Sequence, residues 1–242
     1  MRLDHDGLGE ELFAAANTAS PVALLTDRYP DLTWEDARRI ARATDELRLQ
    51  SGDLLLGYKL GWTSRAMREA LGVDRPNWGT LWESQVVNGE LKFDALIHPK
   101  AEPELVYRHR EDGPGEWALG IEVVDPRFPS FNFDALDNTA DNSSSARIAV
   151  GEFQLLKSPE LLQVQFTDGI QRYPGIGSNA MDSPALAVEW FVEQLAAEGG
   201  SLKAGEIVFT GGLTAPFDVN VDRTYLLTGS PLSAVSFAAT QS

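Results

Sequence analysis

The segment Glu102–Val124, EPELVYRHREDGPGEWALGIEVV, contains two runs of β-forming residues separated by a Gly-Pro-Gly turn at 113–115. Side chains two residues apart in a strand point to the same face, so Glu102 and Glu104 are expected to converge. Glu122 lies among apolar neighbours in the second run, where an unpaired carboxylate is costly or takes up a proton. The segment therefore predicts two strands that carry three converging carboxylates.

Three converging carboxylates repel one another unless a cation joins them. Hard oxygen ligands select Mg²⁺ or Mn²⁺ over softer metals. Glu102 and Glu104 alone are equally compatible with a solvated acidic strand face, but charged residues such as Glu122 are rarely buried without partners. We therefore interpret Glu102, Glu104 and Glu122 as ligands of one Mg²⁺ or Mn²⁺ ion.

The composition excludes several classes of protein. The chain has 242 residues, enough for one large domain or a small and a large one. Its 20 basic and 36 acidic residues give a net charge of −16, which repels nucleic acid and anionic membranes, so we expect neither as a partner. The absence of cysteine excludes disulfides, thiolate catalysis and zinc–sulfur sites. Without a leader pattern or an apolar run approaching ~20 residues, we expect a soluble, cytoplasmic protein.

The first third of the chain is predicted to be mainly helical. Residues 8–17 are apolar at helical spacing. The residues Thr33-Trp-Glu-Asp36 form a predicted capping box that opens a second helix, closed near Gly52. An apolar strand is expected at 54–60, and Thr63 is expected to cap a short helix at 64–71.

From residue 88 the pattern changes to short β-like runs interrupted by one helix, which opens at Ser183-Pro184 and ends at Gly199-Gly200. Helices first and strands later predict an α+β fold, with an N-terminal helical part on a mostly antiparallel or mixed sheet. We divide the chain into a helical region with the first active-site strand, residues 1–85, and a β-rich catalytic body, residues 86–242, expected to form one structural unit. The β-like runs are 90–97, 102–107, 117–124, 147–155, 161–167, 206–210 and 224–228.

Lys59 is the candidate catalytic residue. It lies in the apolar segment 54–61, where a charged amine is expensive to desolvate. It could reach the surface, pair with a carboxylate or act in catalysis. The glycines at positions 57 and 61 leave room for a ligand, which favours the catalytic interpretation.

Other polar residues allow more than one interpretation. Arg127 could hold a substrate carboxylate in a bidentate contact or pair with Asp125. Asn142 follows Asp141 in a polar stretch, where such residues most often cap turns. The glycines of the segment 210–214, Thr-Gly-Gly-Leu-Thr, allow close approach of a ligand but also an ordinary tight turn. Neither a G-x-S-x-G motif nor an H-x-x-x-H spacing is present, so nucleophilic hydrolase chemistry is not expected.

Six segments, standing in family order, together resemble the hydratase/decarboxylase branch of the fumarylacetoacetate hydrolase superfamily, over residues 29–215. That branch includes 2-hydroxypentadienoate hydratases and 4-oxalocrotonate decarboxylases. The segments are Gly57–Ser64, Leu71–Gly79, Ile97–Glu104, Gly120–Arg127, Ala140–Ser145 and Phe209–Ala215.

The resemblance implies a mixed β-sheet roll, a homo-oligomer and one Mg²⁺ or Mn²⁺ ion. It places the metal-binding Glu-x-Glu pair of the family on Glu102 and Glu104, the third carboxylate ligand on Glu122 and the active-site lysine on Lys59. Predicted substrate-binding residues in or next to the same segments are Arg127, Gly79, Asn142, Gly212 and Thr214.

The chain departs from the family pattern in three places. Where relatives carry an extra helical segment between the ligands, only residues 107–119 intervene, so we expect a plain hairpin that leaves the site intact but could remove one wall of the pocket. Asp182-Ser183-Pro184 replaces a Gly-His-Pro, and Asn77-Trp78 brings in a bulky aromatic side chain. These departures leave the size and identity of the substrate open.

The activity that the resemblance implies is that of a metal-dependent lyase acting on a small, anionic, unsaturated 2-oxo acid. The cation would stabilise an enolate, and Lys59 would add positive charge or deliver a proton. The superfamily's hydrolases use a His/Glu pair after the lysine to activate water. Here no histidine occurs between Lys59 and Ile97, which argues against C–C hydrolysis.

Decarboxylation of the 4-oxalocrotonate type is slightly favoured over hydration of 2-hydroxypenta-2,4-dienoate. The segments 97–100, 130–133 and 210–214 are more similar to decarboxylases, whereas 63–65 and 79–81 are more similar to hydratases. Two other possibilities are a non-catalytic binding protein that keeps the fold and a Schiff-base enzyme that uses Lys59.

Overall fold

The computed structural model describes residues 3–241, which form an α+β fold. The helices are α1 (His5–Thr18), α2 (Leu25–Arg28), α3 (Trp34–Gln50), α4 (Arg65–Leu71), α5 (Ala135–Ala140) and α6 (Pro184–Ala197). The strands are β1 (Leu55–Gly61), β2 (Asn77–Trp82), β3 (Glu90–Lys92), β4 (Lys100–Arg108), β5 (Glu116–Val124), β6 (Ser145–Val150), β7 (Gln163–Thr167), β8 (Arg172–Ile176), β9 (Ile207–Gly212), β10 (Phe217–Asp218), β11 (Arg223–Gly229) and β12 (Leu232–Thr240).

The helix termini follow from local capping. The predicted capping box of α3 is confirmed, because the Asp36 backbone N–H donates to Thr33 Oγ1 at 3.2 Å and the Thr33 N–H to Asp36 Oδ2 at 3.1 Å. Helix α4 begins one residue later than predicted, and Ser64 rather than Thr63 caps it. Helix α6 begins at Pro184 as predicted, although the Ser183 side chain makes no capping hydrogen bond. None of the helices within residues 3–241 is long and apolar enough to span a bilayer.

The strands form two mixed sheets. The larger sheet has the order β2-β1-β9-β4-β5-β6, with β10 paired to β4, and the smaller has the order β3-β12-β11-β7-β8. The β1–β9 and β12–β3 pairs are parallel, and the other named pairs are antiparallel. The larger sheet contains strands from before and after residue 85. The predicted boundary between residues 1–85 and 86–242 therefore divides a single sheet.

The larger sheet curls until its two edges meet. Val86, which follows β2, forms a parallel bridge with Ile148 of β6, and the Val87 N–H donates to the Ile148 carbonyl at 2.7 Å. This closure turns one face of the sheet inward as a roll. An apolar cluster fills part of the interior: Leu81, Val106, Ala118, Ile148, Ile207 and Phe209. Gly120 is required here because a Cβ would overlap Val106 and lie 2.7 Å from the Phe209 ring.

The outer face of the roll packs against the smaller sheet and α6, which buries the main hydrophobic core. A separate core, including Leu8, Ile40 and Phe128, joins the N-terminal helices to the segment around α5. This packing places the helical region beside the roll, as expected for the α+β prediction, and leaves one end of the roll for polar residues.

Several strand predictions need correction. The run 90–97 forms only the short β3 and a 3₁₀ turn at Phe93–Ala95. Strands β2, β8, β10 and β12 were not predicted. For β2 and β8 the reason is their content of residues typical of turns, Asn77 and Gly79 in β2 and Pro174-Gly175 in β8. The predicted hairpin is confirmed, since β4 and β5 pair along their whole length around residues 109–115.

Candidate metal centre and active-site cavity

The pairing of β4 with β5 brings three carboxylates together inside the roll. Glu102 lies directly opposite Glu122, and Glu104 lies opposite Gly120 on the same face. One carboxylate oxygen from each glutamate lies within 4.8 Å of the others. Like charges directly opposite each other on a sheet are destabilising, so this arrangement is unfavourable for the carboxylates alone.

The buried carboxylates have few partners. Glu104 and Glu122 are 1% and 0% exposed, and Glu104 Oε1 and both Glu122 oxygens accept no hydrogen bond within residues 3–241. The Gly211 N–H donates to Glu104 Oε2 at 2.7 Å, and Lys59 Nζ lies 3.3 Å from Glu122 Oε1. One ammonium cannot balance three carboxylates, and an all-oxygen set of this kind suits a hard divalent cation.

The environment shifts the titration of the three acids upward. Burial raises the pKa of Glu122 to about 7, although Lys59 acts in the opposite direction. Burial also raises the pKa of Glu104 well above its usual value, and the negative charges of Glu122 and Glu102 raise it further. The pKa of Glu102 is raised by burial and lowered by Lys59 and Lys100. The cluster is therefore suited to exchange protons for a metal ion.

These shifts predict how pH affects the metal-free protein. The unfolded chain releases the Glu122 proton near the ordinary pKa of 4.5, and the folded protein keeps it to about 7. This contribution to stability is present below the lower value and is lost as pH rises through the higher one. Urea unfolding in EDTA should show that the free energy of unfolding falls between about pH 4.5 and pH 7. Glu122→Gln should flatten that slope, and parallel curves for both proteins would contradict the assignment.

Lys59 reaches the carboxylates from the opposite wall of the roll. It lies on β1, paired with Gly79 of β2 and Phe209 of β9, and its side chain is 3% exposed. Its ammonium donates to the Ser143 carbonyl at 3.0 Å and Ser143 Oγ at 3.3 Å, beside Glu122. Of the alternatives in the sequence, Lys59 therefore does not reach the surface, and it pairs with a carboxylate next to the cavity.

The segment 142–144, in which Ser143 accepts hydrogen bonds from Lys59, has a strained backbone. Asn142, Ser143 and Ser144 have φ values of 50°, 55° and 57°, which non-glycine residues rarely adopt. The Asn142 side chain fixes this segment to β2, accepting from the Thr80 N–H at 2.8 Å and donating to the Thr80 carbonyl at 3.0 Å. Backbone strain of this kind is retained only where surrounding contacts determine it. Here it places Ser143 against the ammonium.

A cavity of about 270 Å³ opens beside Glu102 and Lys59. Besides Lys59, the cavity is lined by a second lysine, Lys100. Its Nζ lies 3.4 Å from Asp218 Oδ1 and 4.9 Å from the centre of the Phe131 ring. Most of the remaining wall is apolar or small. The lining residues are Lys59, Leu60, Gly61, Trp62, Thr63, Ser64, Met67, Leu71, Lys100, Glu102, Val124, Phe131, Phe133, Asn138, Ser143, Ser144, Gly212, Thr214 and Pro216.

The structure divides the five predicted substrate-binding residues. Gly212 and Thr214 line the cavity. Gly79 and Asn142 do not, and we correct their assignment. The missing side chain at Gly79 makes space for Asn142, because a Cβ would overlap the Asn142 carbonyl and lie 2.7 Å from its Oδ1. These two residues support the strained segment.

Arg127 also needs correction, because its guanidinium is occupied within the fold, away from the cavity. It pairs with the Asp141 carboxylate rather than with that of Asp125, and it donates to the carbonyls of Asp125 at 2.6 Å and Ser145 at 2.9 Å. Arg127 and Asp141 are 5% and 2% exposed. Their pair joins the end of α5 to the segment after β5.

Arg127→Ala should therefore act on stability. Removing one member of a buried ion pair leaves an unpaired charge and costs about 3–5 kcal/mol. Chemical denaturation should show this loss, whereas Arg172→Ala at an exposed position should change stability by less than about 0.5 kcal/mol. A stable Arg127→Ala protein with a raised KM alone would restore the substrate-binding assignment.

Three residues near the cavity were not predicted from the sequence. Lys100 could have been found, because it lies two residues before Glu102 and so shares its strand face. Phe131 lies in an aromatic segment, which could have suggested it as a binding residue. Nothing in the sequence indicates, however, that this segment lies near the carboxylates. Ser143 lies in the family-like segment Ala140–Ser145, but its contact with Lys59 could not be predicted, because it depends on the left-handed backbone.

Comparison with known proteins identifies the family of the chain. The chain matches no family model. It is 33% identical over 227 residues to 2-hydroxyhexa-2,4-dienoate hydratase of Comamonas testosteroni, covering 85% of this chain and 86% of that protein. The chain belongs to the hydratase/decarboxylase branch of the fumarylacetoacetate hydrolase superfamily. A 4-oxalocrotonate decarboxylase of Pseudomonas putida is 30% identical over 227 residues, or 86% of each chain.

Solved structures confirm the superfamily fold. The 4-oxalocrotonate decarboxylase from Pseudomonas putida G7, complexed with magnesium and adipate, superposes with a TM-score of 0.93 at 26% identity, covering 98% of this chain and 99% of that one. Fumarylpyruvate hydrolase from Pseudomonas aeruginosa, with a TM-score of 0.56 at 16% identity over 76% of this chain and 89% of that one, shares the fold. The branch consists of lyases, and a divalent metal accompanies its decarboxylase structures.

Proposed function

We propose that the chain is a Mg²⁺-dependent lyase that decarboxylates an unsaturated 2-oxo acid with a second, distal carboxylate. The observation that carries this proposal is the cavity with the three-glutamate cluster and Lys59 at one end and a further lysine, Lys100, in its wall. The relatives named as hydratases and decarboxylases support the general chemistry, and the second lysine favours a dianionic substrate.

Glu102, Glu104 and Glu122 would hold the metal ion, which explains why three carboxylates occupy one buried place with a single ammonium beside them. When bound, a divalent ion polarises the carbonyl oxygen of a 2-oxo acid and so favours electron flow toward that oxygen. The apolar walls around the cluster keep bulk water away, which strengthens these electrostatic interactions.

Lys59 would provide a proton or a positive charge next to the reacting carbons. Its ammonium is held from two sides, by Ser143 and by Glu122, so its direction is determined before substrate enters. Preorganised donors of this kind stabilise developing negative charge without reorientation during the reaction. Ser143 is therefore a positioning residue in this proposal.

Lys100 would bind the distal carboxylate. It lies two residues from Glu102 on the same face of β4, which corresponds to about 6.6 Å along the strand. That separation is comparable to the length of an extended six-carbon diacid. Its contact with Asp218 is long and mostly exposed, so a substrate carboxylate can replace it. The adipate bound in the related decarboxylase is a diacid of this length.

Hydration of a monocarboxylic dienoate is the second candidate. Apolar residues, including Trp62, Met67 and Phe133, line much of the cavity and would suit a hydrocarbon tail. The hydratase of Comamonas testosteroni also shares more identity with this chain, 33%, than the Pseudomonas putida decarboxylase does, 30%. The two reactions need the same activated oxo acid and differ in the fate of its distal end.

Product analysis distinguishes the two reactions. Purified protein would be incubated with 2-oxo-3-hexenedioate and with 2-hydroxypenta-2,4-dienoate, and CO₂ release and water addition would be measured by mass spectrometry. We expect CO₂ release from the first substrate, its loss in EDTA and its recovery with Mg²⁺. Water addition without CO₂ release would replace decarboxylation by hydration, and turnover that resists EDTA would reject the metal-dependent proposal.

Lys100→Met tests the distal contact. Loss of a charged hydrogen bond should raise KM for the dicarboxylic substrate about tenfold or more, with a smaller change in kcat. Mg²⁺ affinity should stay the same, because Lys100 is not a ligand. Lys203→Met, at an exposed position, is the control. An unchanged KM would remove the second lysine as the reason to prefer decarboxylation.

A further inference from the structure

A second concave surface lies between α3 and α6, outside the cavity beside Lys59. This α3–α6 cleft has a volume of about 330 Å³ and shares no lining residue with the active-site cavity. The start of β2 forms its floor. It is lined by Trp34, Glu35, Arg38, Arg39, Arg42, Arg75, Pro76, Asn77, Trp78, Trp190, Gln194 and Glu198.

The charge of the cleft is opposite to that of the chain. The protein has a net charge of −16, but the cleft contains four arginines and only two carboxylates. Both carboxylates are already paired, Glu35 with Arg39 at 2.6 Å and Glu198 with Arg42 at 2.8 Å. Two guanidinium groups, those of Arg38 and Arg75, therefore remain in excess.

Arg38 lies at the centre of this excess charge. Its Nη1 donates to the Trp78 carbonyl at 2.9 Å, and its nearest carboxylate, Glu198, is 4.0 Å away. The pKa of Arg38 is lowered to about 10, mainly by burial; the positive charges of Arg42 and Arg75 act in the same direction, and the carboxylates of Glu198 and Asp45 oppose them. Like charges that converge on a buried group are unfavourable, and an anion among them would remove the repulsion.

Two guanidinium groups of the cleft lie over indole rings. Arg38 lies 3.9 Å from the centre of the Trp78 ring, and Arg75 lies 5.1 Å from that of Trp34. Within residues 3–241, Arg75 makes no hydrogen bond or ion pair. Stacking on indole leaves the edge of a guanidinium free to donate two parallel hydrogen bonds to an oxyanion. The partly exposed indole of Trp34 adds a flat apolar surface.

We propose that the α3–α6 cleft binds a planar organic dianion, an oxyanion of two charges carried on an aromatic or conjugated ring. Two excess guanidinium groups match the charge, and the tryptophans match the flat body of such a ligand. Aromatic dicarboxylates and aryl phosphates share this chemistry. The site is separate from the proposed lyase chemistry and does not depend on it.

Calorimetric titration of the Mg²⁺-loaded protein would test the proposal. The probes are benzene-1,2-dicarboxylate and phenyl phosphate, which distinguish the two sources of dianion, and the comparison compounds are cyclohexane-1,2-dicarboxylate and sulfate. We expect micromolar to millimolar binding of at least one planar probe, and binding at least tenfold weaker for both comparison compounds.

Arg75→Gln is the decisive variant, because within residues 3–241 this exposed side chain has no hydrogen bond or ion pair to lose and touches only the Trp34 ring. It should weaken binding of the planar probe tenfold or more and leave the melting temperature unchanged. Arg172→Gln on β8, outside both sites, should bind like the parent. Lys100→Met should also bind like the parent, which separates the cleft from the active-site cavity.

Three results would overturn the proposal. The first is the absence of binding by either planar probe at millimolar concentration. The second is equal affinity in Arg75→Gln and the parent, or loss of binding in Lys100→Met instead. The third is sulfate or the cyclohexane diacid binding as tightly as the planar probes, which would leave only a non-specific anion site.

Discussion

Replacing Glu122 by glutamine is expected to weaken Mg²⁺ binding by about 100-fold or more and to abolish turnover. Glu122 is fully buried and lies opposite Glu102, and within residues 3–241 its carboxylate has one ion pair, with the Lys59 ammonium 3.3 Å from Oε1. Residues that only support metal ligands already cost about 10–100-fold in affinity when changed, so a ligand should cost at least the upper value. An amide keeps the shape but offers one neutral oxygen. Calorimetric titration with Mg²⁺ measures the effect.

The same substitution should stabilise the metal-free protein. At pH 8 it removes one of three mutually repelling carboxylates, so the melting temperature in EDTA should rise while the stabilisation by Mg²⁺ disappears. Glu116→Gln is the matched control, because Glu116 lies on the same strand but pairs with Arg108 and Arg110 at its outer end. Unchanged Mg²⁺ affinity in a folded Glu122→Gln protein would show that the cluster does not hold the ion.

Replacing Lys59 by methionine should lower kcat by about 10²–10⁴-fold, the range for a lost proton donor. Methionine fills a similar volume, so the walls of the roll should remain in place. Mg²⁺ affinity should change by less than about tenfold, because the ammonium lies beside the carboxylates but is not a metal ligand. Stopped assays with saturating substrate, together with metal titration, separate the two effects.

Lys92→Met, at an exposed position on β3, should behave like the parent in both measurements. A Lys59→Met protein as fast as the parent would remove Lys59 from the chemistry. Borohydride treatment with pyruvate addresses the Schiff-base alternative. We expect no mass increase, since the ammonium is held by Glu122 and Ser143. A covalent adduct on Lys59 would replace the proton-donor role with an imine.

The cluster at the centre of these predictions could be found from local sequence. Spacing two residues apart predicted that Glu102 and Glu104 share a face, and the apolar run around Glu122 predicted its burial. The β4–β5 hairpin followed from two β-like runs and a Gly-Pro-Gly turn. These are short-range properties, since strand periodicity and turn chemistry depend on neighbouring residues.

The substrate-binding residues were predicted less well. Arg127, Gly79 and Asn142 occur in segments typical of the family, but they stabilise the fold near the site. A buried arginine and a substrate-binding arginine look alike in sequence, because the difference lies in a distant partner such as Asp141. Likewise, the need for glycine at position 79 depends on Asn142, 63 residues later in the chain.

By itself, the sequence determined the class of the fold, the three acidic residues on two paired strands and a candidate lysine within an apolar strand, because each depends on hydrophobic periodicity and local turn chemistry. Only the tertiary structure decided that Lys59 meets Glu122 across the roll and that Ser143 turns toward the ammonium. The physical reason is the curl of the larger sheet. Its closure between Val86 and Ile148 brings β1 and β5 face to face, although two strands separate them in the sheet.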